Sequence, residues 1–265
     1  MIIKRILQQQ KTFSSTTNFD DYYRESRNQF QEKNYNDLVS GSQDDNIKKK
    51  AKNLYKDNST LQKKFTESGF IQAALDGVHN KETFAVLMFV KSDKKQNSAE
   101  ECQFKFIKDK YDTLLKEIKL LPKSGSDSLF ITGGKISNTK SGSSAKSIDI
   151  EMTYEFNKKK LKYYGTLKHI DNHGGAQDNQ FNDLLLTNIE FSKISDPDIT
   201  TLTIVSGTYF KTNRMNELNK YSSSTNFQVK IDDLGKVLQS TILNWLSSNF
   251  PDEVIEYKRI KDLKL

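Results

Sequence analysis

Residues 148–170 read IDIEMTYEFNKKKLKYYGTLKHI, a segment with the pattern of two adjacent strands. Apolar and polar side chains alternate through its first half, as they do in a strand with one buried face. The apolar face holds Ile148, Ile150, Met152 and Tyr154, and the polar face holds Asp149, Glu151, Thr153 and Glu155. A polar turn at residues 157–160 separates this strand, Ile148–Phe156, from a second one at Leu161–Ile170. The segment therefore predicts a β-hairpin with a row of acids on one face.

The chain downstream of the hairpin predicts a helix and further strands. Residues 176–192 have an apolar spacing that fits a helix, although residues 184–191 could instead form the third strand of a meander. A strand is predicted at Thr201–Phe210, and a last strand at Phe227–Ile231 leads into a helix at Asp232–Asn249. The conformation of residues 176–192 separates the two functional interpretations given below.

The chain upstream of the hairpin is mostly helical in pattern. Apolar residues recur at threes and fours from Ala99 to Leu121, and Pro122 ends this predicted helix. Thr83–Val90 and Ser128–Thr132 are predicted strands. The predicted fold class is α/β in the α+β sense, with a central mixed β-sheet flanked by helices and an N-terminal helical region. The predicted divisions are a basic segment at 1–19, a mostly helical region at 20–125 and an α/β core at 126–265.

The composition of the 265-residue chain limits the class of protein. Its 35% hydrophobic and 11% aromatic content suffices for one sizeable core or two small ones. The 41 Lys and Arg residues exceed the 34 Asp and Glu residues, and the resulting charge of +7 attracts polyanions but also occurs on ordinary soluble surfaces. Cys102 is the only cysteine, which excludes an internal disulfide. The longest apolar run, Phe84–Val90, is far shorter than the roughly 20 residues of a membrane-spanning helix. No transmembrane segment is therefore expected.

The first nineteen residues form a separate basic segment. Lys4, Arg5 and Lys11 precede the first acid, Asp20, and hydroxyl side chains are frequent between them. This composition is typical of a mitochondrial transit peptide, and it is also found in a basic leading helix of a bacterial cytoplasmic protein. The localisation stays open between the mitochondrion and the bacterial cytoplasm.

The acids of the hairpin, together with Lys168, are the residue types of a magnesium-dependent phosphodiesterase. Asp149 and Glu151 lie two residues apart on one strand, so both project to the same face and could share an ion. Carboxylates hold Mg²⁺, which activates water and neutralises phosphate oxygens, while a lysine orients the water or offsets charge. Lys168 is on the neighbouring strand, within reach of that face. Alternatively, both acids are solvated and pair across the hairpin with Lys162 or Lys168, which adds little stability.

With these residues identified, residues 149–180 resemble the PD-(D/E)XK nuclease superfamily, and type II restriction endonucleases in particular. Members carry an acid at the start of a strand, an acid-x-Lys triplet on the adjacent strand, then a helix and another strand. Asp149 matches the first acid, and Thr166-Leu167-Lys168 occupies the triplet. Residues 174–180 look like the loop that enters the core helix, and Ile204–Phe210 looks like the later core strand. The resemblance covers roughly the second half of the chain and implies a restriction-endonuclease-like core.

The resemblance also implies an activity, that of a Mg²⁺-dependent, sequence-specific endonuclease of a restriction system. Double-stranded DNA would be its substrate and a homodimer its assembly. Asp149 and Glu151 would be metal ligands, and Lys168 would position water or stabilise charge, so these three would be the catalytic residues. Gln177 would be an accessory group. The lysines in and beside the loop at 137–147 would contact the nucleic acid: Lys135, Lys140 and Lys146.

Thr166 departs from the family pattern, which usually has Glu or Asp at this position. A hydroxyl cannot replace the charge of a carboxylate at a divalent ion. Three explanations stay open: Glu151 supplies the second acid, Thr166 is an accessory group that contributes only its backbone carbonyl, or the site is weak or inactive.

An alternative from another functional class takes the basic segment as a transit peptide. The chain would then be a non-enzymatic mitochondrial assembly or import factor, with mitochondrial inner-membrane proteins as its partners. In this interpretation residues 128–191 form a small β-meander whose third strand is residues 184–191. Such factors usually carry a membrane anchor, and none is predicted here.

Overall fold

A computed structural model describes residues 18–89, 96–142, 145–171 and 175–252 of the chain. Residues 1–17, which carry most of the predicted transit peptide, lie outside this part. The chain divides into two compact units, one formed by Tyr23–Ser98 and the other by Met1–Tyr22 with Ala99–Leu265. None of the helices in the described part is long and apolar enough to cross a membrane.

The unit Tyr23–Ser98 is helical. Its helices are α1 (Phe19–Val39, which begins in the other unit), α2 (Asp44–Lys56), α3 (Ser59–Lys64), α4 (Glu67–His79) and α5 (Thr83–Phe89). Two of these helices have a side-chain N-cap. Asn58 accepts hydrogen bonds from two backbone N–H groups in the first turn of α3, and Thr66 accepts one from the Gly69 N–H of α4. The core of this unit is a cluster that includes Leu38, Ile47 and Val78.

Helix α5 corrects a prediction, because Thr83–Val90 was expected to be a buried strand. A short continuous apolar run fits a buried helix as well as a buried strand, and the surrounding structure decides between them. Here Phe89 is buried in the cluster formed with the other helices, and Ala85 and Met88 pack against it. The run therefore completes a helical core.

The elements from α6 onward form the second unit, which is built on two sheets. They are α6 (Gln96–Tyr111), β1 (Glu117–Leu120), β2 (Leu129–Thr132), β3 (Lys135–Ser137), β4 (Lys146–Ile148), β5 (Ile150–Phe156), β6 (Lys159–His169), α7 (Gly175–Phe191), β7 (Ile199–Ser206), α8 (Thr212–Leu218), β8 (Asn226–Lys230) and α9 (Leu234–Asn249). The large sheet has the order β1-β5-β6-β7-β8, and the small sheet has the order β3-β2-β4.

The predicted hairpin is present as β5 and β6, which pair antiparallel with Met152 opposite Tyr163. Asn157 and Lys158 connect the strands with φ values of +47° and +66°, the conformation of a two-residue hairpin turn. The small sheet uses the same device, since Gly133 and Gly134 join β2 to β3 with φ values of +58° and +74°. Local turn chemistry thus sets both registers.

Strand β1 was missed because the helix predicted at Ala99–Leu121 is shorter. Helix α6 ends at Tyr111, whose carbonyl accepts hydrogen bonds from the backbone N–H groups of Leu114 and Leu115. Glu117–Leu120 then pairs antiparallel with β5, with Ile118 opposite Met152. The apolar spacing that looked helical at Ile118 instead fits the edge of the large sheet.

The predicted helix at residues 176–192 is confirmed as α7, which contains the alternative strand segment 184–191. Strands β6 and β7 are parallel, and parallel neighbours need a crossover connection, which α7 provides. Asn188 of α7 accepts a hydrogen bond from Thr203 of β7 at 2.7 Å. On the opposite face, Thr241 of α9 hydrogen-bonds to Tyr163 of β6 at 2.8 Å. A mixed sheet between helices is therefore the fold, as predicted.

Candidate active site

Asp149 lies at the point where the chain leaves the small sheet and enters the large one. The strand predicted as continuous is interrupted there, with β4 ending at Ile148 and β5 beginning at Ile150. The backbone is held from two sides, because the Asp149 N–H donates to the Gly165 carbonyl at 2.8 Å and the Asp149 carbonyl accepts from Leu121 N–H at 2.8 Å. The break fixes where the carboxylate points.

The side chain of Asp149 is buried and only partly satisfied. Its Oδ2 atom accepts hydrogen bonds from the Thr166 hydroxyl at 2.7 Å and from the Leu167 backbone N–H at 2.9 Å. Burial raises the pKa of Asp149, and the charge of Glu100 adds to this, while the two hydrogen bonds and Lys123 oppose it. Among the described residues, Oδ1 has no hydrogen-bond partner, so it is available to a cation.

Glu100 is a second buried acid that the sequence analysis missed. Its Oε2 lies 2.7 Å from Lys123 Nζ, and its Oε1 lies 3.6 Å from Lys168 Nζ. The side chain is only 8% exposed, so this carboxylate depends on both ammonium groups for compensation. The sequence does contain an indication of this buried acid. Glu100 precedes Phe104, Ile107 and Tyr111 by four, seven and eleven residues, so it lies on the apolar face of α6.

These side chains meet in a polar pocket of about 110 Å³ in the second unit. Strands β4 and β6, helices α6 and α7, and the loop after β1 supply its lining. The charged and polar members include Glu100, Lys123, Lys146, Asp149, Lys168 and Gln180. Lys146 pairs with Asp183 of α7, which also lines the pocket. Two predicted site residues, Asp149 and Lys168, are thus brought together, and Lys146 joins them.

Glu151 is not brought to this pocket. It lies opposite Tyr164 in the hairpin and pairs with Lys162 at 3.9 Å, as the alternative of paired hairpin acids predicted for this residue. Alternate residues of a strand are separated by roughly 6.5–7 Å along its axis, so the side chains at 149 and 151 find different partners. The shared ion site expected for Asp149 and Glu151 does not form in this structure.

The other predicted residues lie in several places. Thr166 lines the pocket through its hydroxyl, which hydrogen-bonds to Asp149. Gln177 belongs to the first turn of α7 but does not line the pocket, whereas Gln180, one turn later, does. Lys135 lies exposed on β3 and Lys140 lies exposed in the loop that follows. These two lysines are outside the pocket lining.

The donor set of the pocket fits a magnesium ion more closely than a zinc ion. In the described part of the chain, no group of three or more His, Cys, Asp or Glu side chains could hold a metal. Mg²⁺ does not need one, because it keeps several waters and is commonly bound by one or two carboxylates together with substrate phosphates. Glu100 and Asp149 are the two carboxylates that would hold it.

A polar network holds the backbone of Lys168 through its carbonyl group. Gln103 of α6 donates from Nε2 to the Lys168 carbonyl at 3.2 Å and to Ser206 Oγ at 3.0 Å. Ser206 Oγ also contacts Nδ1 of His169 at 2.7 Å, and Nε2 of His169 contacts Asp171 at 2.9 Å. In a hydrolase triad the serine contacts Nε2 and the aspartate contacts Nδ1 of the histidine, whereas here the two ring nitrogens have exchanged partners. Ser206 is 6% exposed and does not line the pocket, so the network positions β6 and β7.

Comparisons with protein-family models, with curated proteins and with solved structures find no match for this chain.

Proposed function

We propose that the protein is a Mg²⁺-dependent endonuclease that hydrolyses phosphodiester bonds of double-stranded DNA. The observation that carries the proposal is the convergence of Glu100, Asp149 and Lys168 in one polar pocket. The hairpin, helix and parallel strand around them follow the order expected from the resemblance to PD-(D/E)XK nucleases. Sequence specificity and a homodimer remain predictions.

In this proposal Glu100 supplies the negative charge that Thr166 cannot supply. The site needs a second negative charge near Asp149, and a hydroxyl cannot supply one. Glu100 reaches the pocket from α6 and supplies that charge from a different element of the chain. Thr166 then has another role, since its hydroxyl holds Asp149 Oδ2 and leaves Oδ1 for the ion.

In this proposal two acids of the pocket bind the metal ion and two lysines contact the substrate. Glu100 and Asp149 would hold Mg²⁺, which when bound lowers the pKa of water and offsets charge on phosphate oxygens. Lys168 is 16% exposed and presents a fixed ammonium group to the scissile phosphate or its attacking water. Lys146 has an 18% exposed side chain at the same pocket and would contact a neighbouring phosphate.

The alternative of a non-enzymatic mitochondrial factor loses its structural premise. It required residues 184–191 to be the third strand of a meander, and they belong to α7. The second neighbour of β6, on the side away from β5, is β7, which is parallel to it rather than antiparallel. No observation in the described part of the chain favours this second function.

The test is incubation of purified protein with supercoiled plasmid and MgCl₂, followed by electrophoresis. Wild-type protein should convert the plasmid to nicked or linear forms, and EDTA should stop the reaction. Asp149→Ala and Lys168→Ala should each lose cleavage, because each removes a charged group from the pocket. Retention of DNA binding in gel-shift assays would separate lost chemistry from lost substrate.

The matched controls are Glu151→Ala and Lys162→Ala, which remove the same types of charge from the same two strands outside the pocket. Both should cleave at the wild-type rate. Equal rates in the wild type and all four variants, or no cleavage by any of them, would refute the proposed site.

A further inference from the structure

Lys123 is a positively charged group in the pocket that the proposed chemistry does not use. It lies in the loop after β1, and its Nζ is 2.7 Å from Glu100 Oε2, a charge-assisted hydrogen bond. Burial lowers the pKa of Lys123, but the hydrogen bond and charge of Glu100 and the charge of Asp149 outweigh it, so the pKa is raised. One ammonium group therefore interacts with both carboxylates that would hold the ion.

Lys123 and Lys168 differ in how firmly the protein holds them. The Lys168 side chain is 16% exposed and extends from a strand that is paired on both sides. The Lys123 side chain is 55% exposed and extends from a loop. Lys123 can therefore return its ammonium group to water at low cost, whereas Lys168 cannot.

We infer that Lys123 is a built-in counter-cation that offsets part of the negative charge of Glu100 and Asp149 in the metal-free protein and is displaced when a divalent cation binds. The inference rests on the proposed function, because it takes this pocket as the Mg²⁺ site. The displaced ammonium group stays at the rim of the pocket and becomes free to contact a phosphate of the DNA. Metal binding and DNA binding are coupled through this one side chain.

The coupling has a measurable sign. In the wild-type protein Mg²⁺ must break the Lys123–Glu100 pair, and in Lys123→Gln only the longer contact of Glu100 with Lys168, at 3.6 Å, remains. Mg²⁺ should therefore bind about tenfold more tightly to Lys123→Gln, the effect of removing one nearby charge from a partly solvated site. The same variant should lose most of the gain in DNA affinity that Mg²⁺ gives the wild type.

The experiment is calorimetric titration of the full-length protein with MgCl₂ in the absence of DNA, at fixed low ionic strength and neutral pH. Lys116→Gln is the matched control, since Lys116 is a similarly exposed lysine that pairs at 2.6 Å with an acid outside the pocket, Glu155. The expected result is tighter Mg²⁺ binding for Lys123→Gln alone. Unchanged or weaker binding in Lys123→Gln would overturn the inference, as would equal tightening in the control.

A second variant keeps the test valid if Lys123→Gln does not fold. Lys123→Arg retains the positive charge and the pair with Glu100, so its Mg²⁺ affinity should not exceed that of the wild type. Tenfold tighter binding by this variant would refute displacement.

The plasmid assay distinguishes a failure of the counter-cation inference from a failure of the proposed nuclease function. Plasmid cleavage by the wild type with equal Mg²⁺ affinity in Lys123→Gln would refute the counter-cation alone. Tighter Mg²⁺ binding by Lys123→Gln without plasmid cleavage by the wild type would refute the nuclease alone. Failure of all the proteins to bind millimolar Mg²⁺, together with no plasmid cleavage by the wild type, would refute both.

Discussion

The two ends of the β5–β6 hairpin carry the same residue types in opposite environments. At one end Asp149 is buried against Thr166 and faces a pocket shared with Glu100 and Lys168. At the turn end Glu155 lies 2.6 Å from Lys116 and 3.8 Å from Lys160, and both lysine side chains are more than half exposed. The elements packed against a strand, rather than its alternating acids, therefore determine which carboxylate is buried beside a pocket.

The acid at each end has a pKa shifted in the opposite direction. Burial raises the pKa of Asp149. A hydrogen bond from Lys116 lowers the pKa of Glu155. The ionised form of Asp149 is therefore costly to the fold, while the ionised form of Glu155 is favoured by it. A buried carboxyl with a raised pKa beside a polar pocket is typical of a functional group.

The largest expected contrast is catalytic and concerns Glu100. If the proposed function holds, Glu100→Gln should reduce plasmid cleavage by roughly a thousandfold, because losing a charge that holds Mg²⁺ removes several kcal/mol of transition-state stabilisation. Glu155→Gln makes the same chemical change at the turn end and should leave the rate unchanged. Initial rates at saturating MgCl₂ measure both. Equal rates for the two variants would show that the pocket end is not special.

The next contrast concerns the close approach of strands at the pocket end. A Cβ at Gly165 would lie 2.9 Å from Ile150 Cγ2 and 3.0 Å from the Leu202 carbonyl oxygen, so Gly165→Ala must push strands apart. It should lower the free energy of unfolding by roughly 1–3 kcal/mol, as overpacking does. It should also disturb Asp149, whose N–H is bonded to the Gly165 carbonyl. Urea denaturation measures the change.

Gly175→Ala is the control for that substitution. Nothing lies within 4 Å of a Cβ at Gly175, the first residue of α7. Alanine at a compatible position restricts the unfolded chain, so the expected change is neutral to slightly stabilising. A loss in Gly175→Ala as large as in Gly165→Ala would contradict the steric explanation.

Much of the fold could be predicted from local pattern. The period-two alternation around Met152 and the polar turn at Asn157 predicted the hairpin, and the apolar spacing of residues 176–192 predicted α7. Failures occurred where pattern allows two structures. The apolar run at 83–90 fits a helix or a strand, and the run at 114–118 continues a helical spacing although it enters a sheet edge.

The candidate site was predictable only in part. Asp149 and Lys168 were found because they lie on adjacent strands of a predicted hairpin. Glu100 and Lys123 are distant in sequence from the hairpin. They reach the pocket because α6 and the loop after β1 pack against it, and the alternation of residues in a strand does not predict such packing. Glu151 was chosen because it shares a face with Asp149, yet sharing a face does not overcome the separation along the strand.

A stability contrast of opposite sign is expected from acid-to-amide substitutions at the two ends. Because the folded pKa of Asp149 lies above its ordinary 3.8, wild-type stability falls as pH rises through that folded pKa. Asp149→Asn cannot ionise, so it should be more stable than the wild type at neutral pH, by roughly 0.5–2 kcal/mol. The gain should vanish below about pH 3, where Asp149 is neutral in both the folded and the unfolded state.

Glu155→Gln should behave in the opposite way. The folded pKa of Glu155 is lowered, so its contribution to stability is present above the unfolded pKa and is lost as pH falls through the folded one. This variant should therefore be less stable than the wild type at neutral pH and equal to it in acid. Thermal denaturation from about pH 2 to pH 7 measures both variants. Changes of the same sign would contradict the assignment of opposite environments.

The smallest expected effect concerns the Glu151–Lys162 pair, which lies between the two ends. Its atoms are 3.9 Å apart and the Lys162 side chain is 44% exposed, so water and salt screen the pair. Coupling between Glu151→Gln and Lys162→Met in a double-mutant cycle should be below about 1 kcal/mol and should disappear in molar salt. A larger, salt-resistant coupling would mean that Glu151 is as strongly held as Asp149. The buried environment would then extend along β5, and Glu151 would again be a candidate for the site.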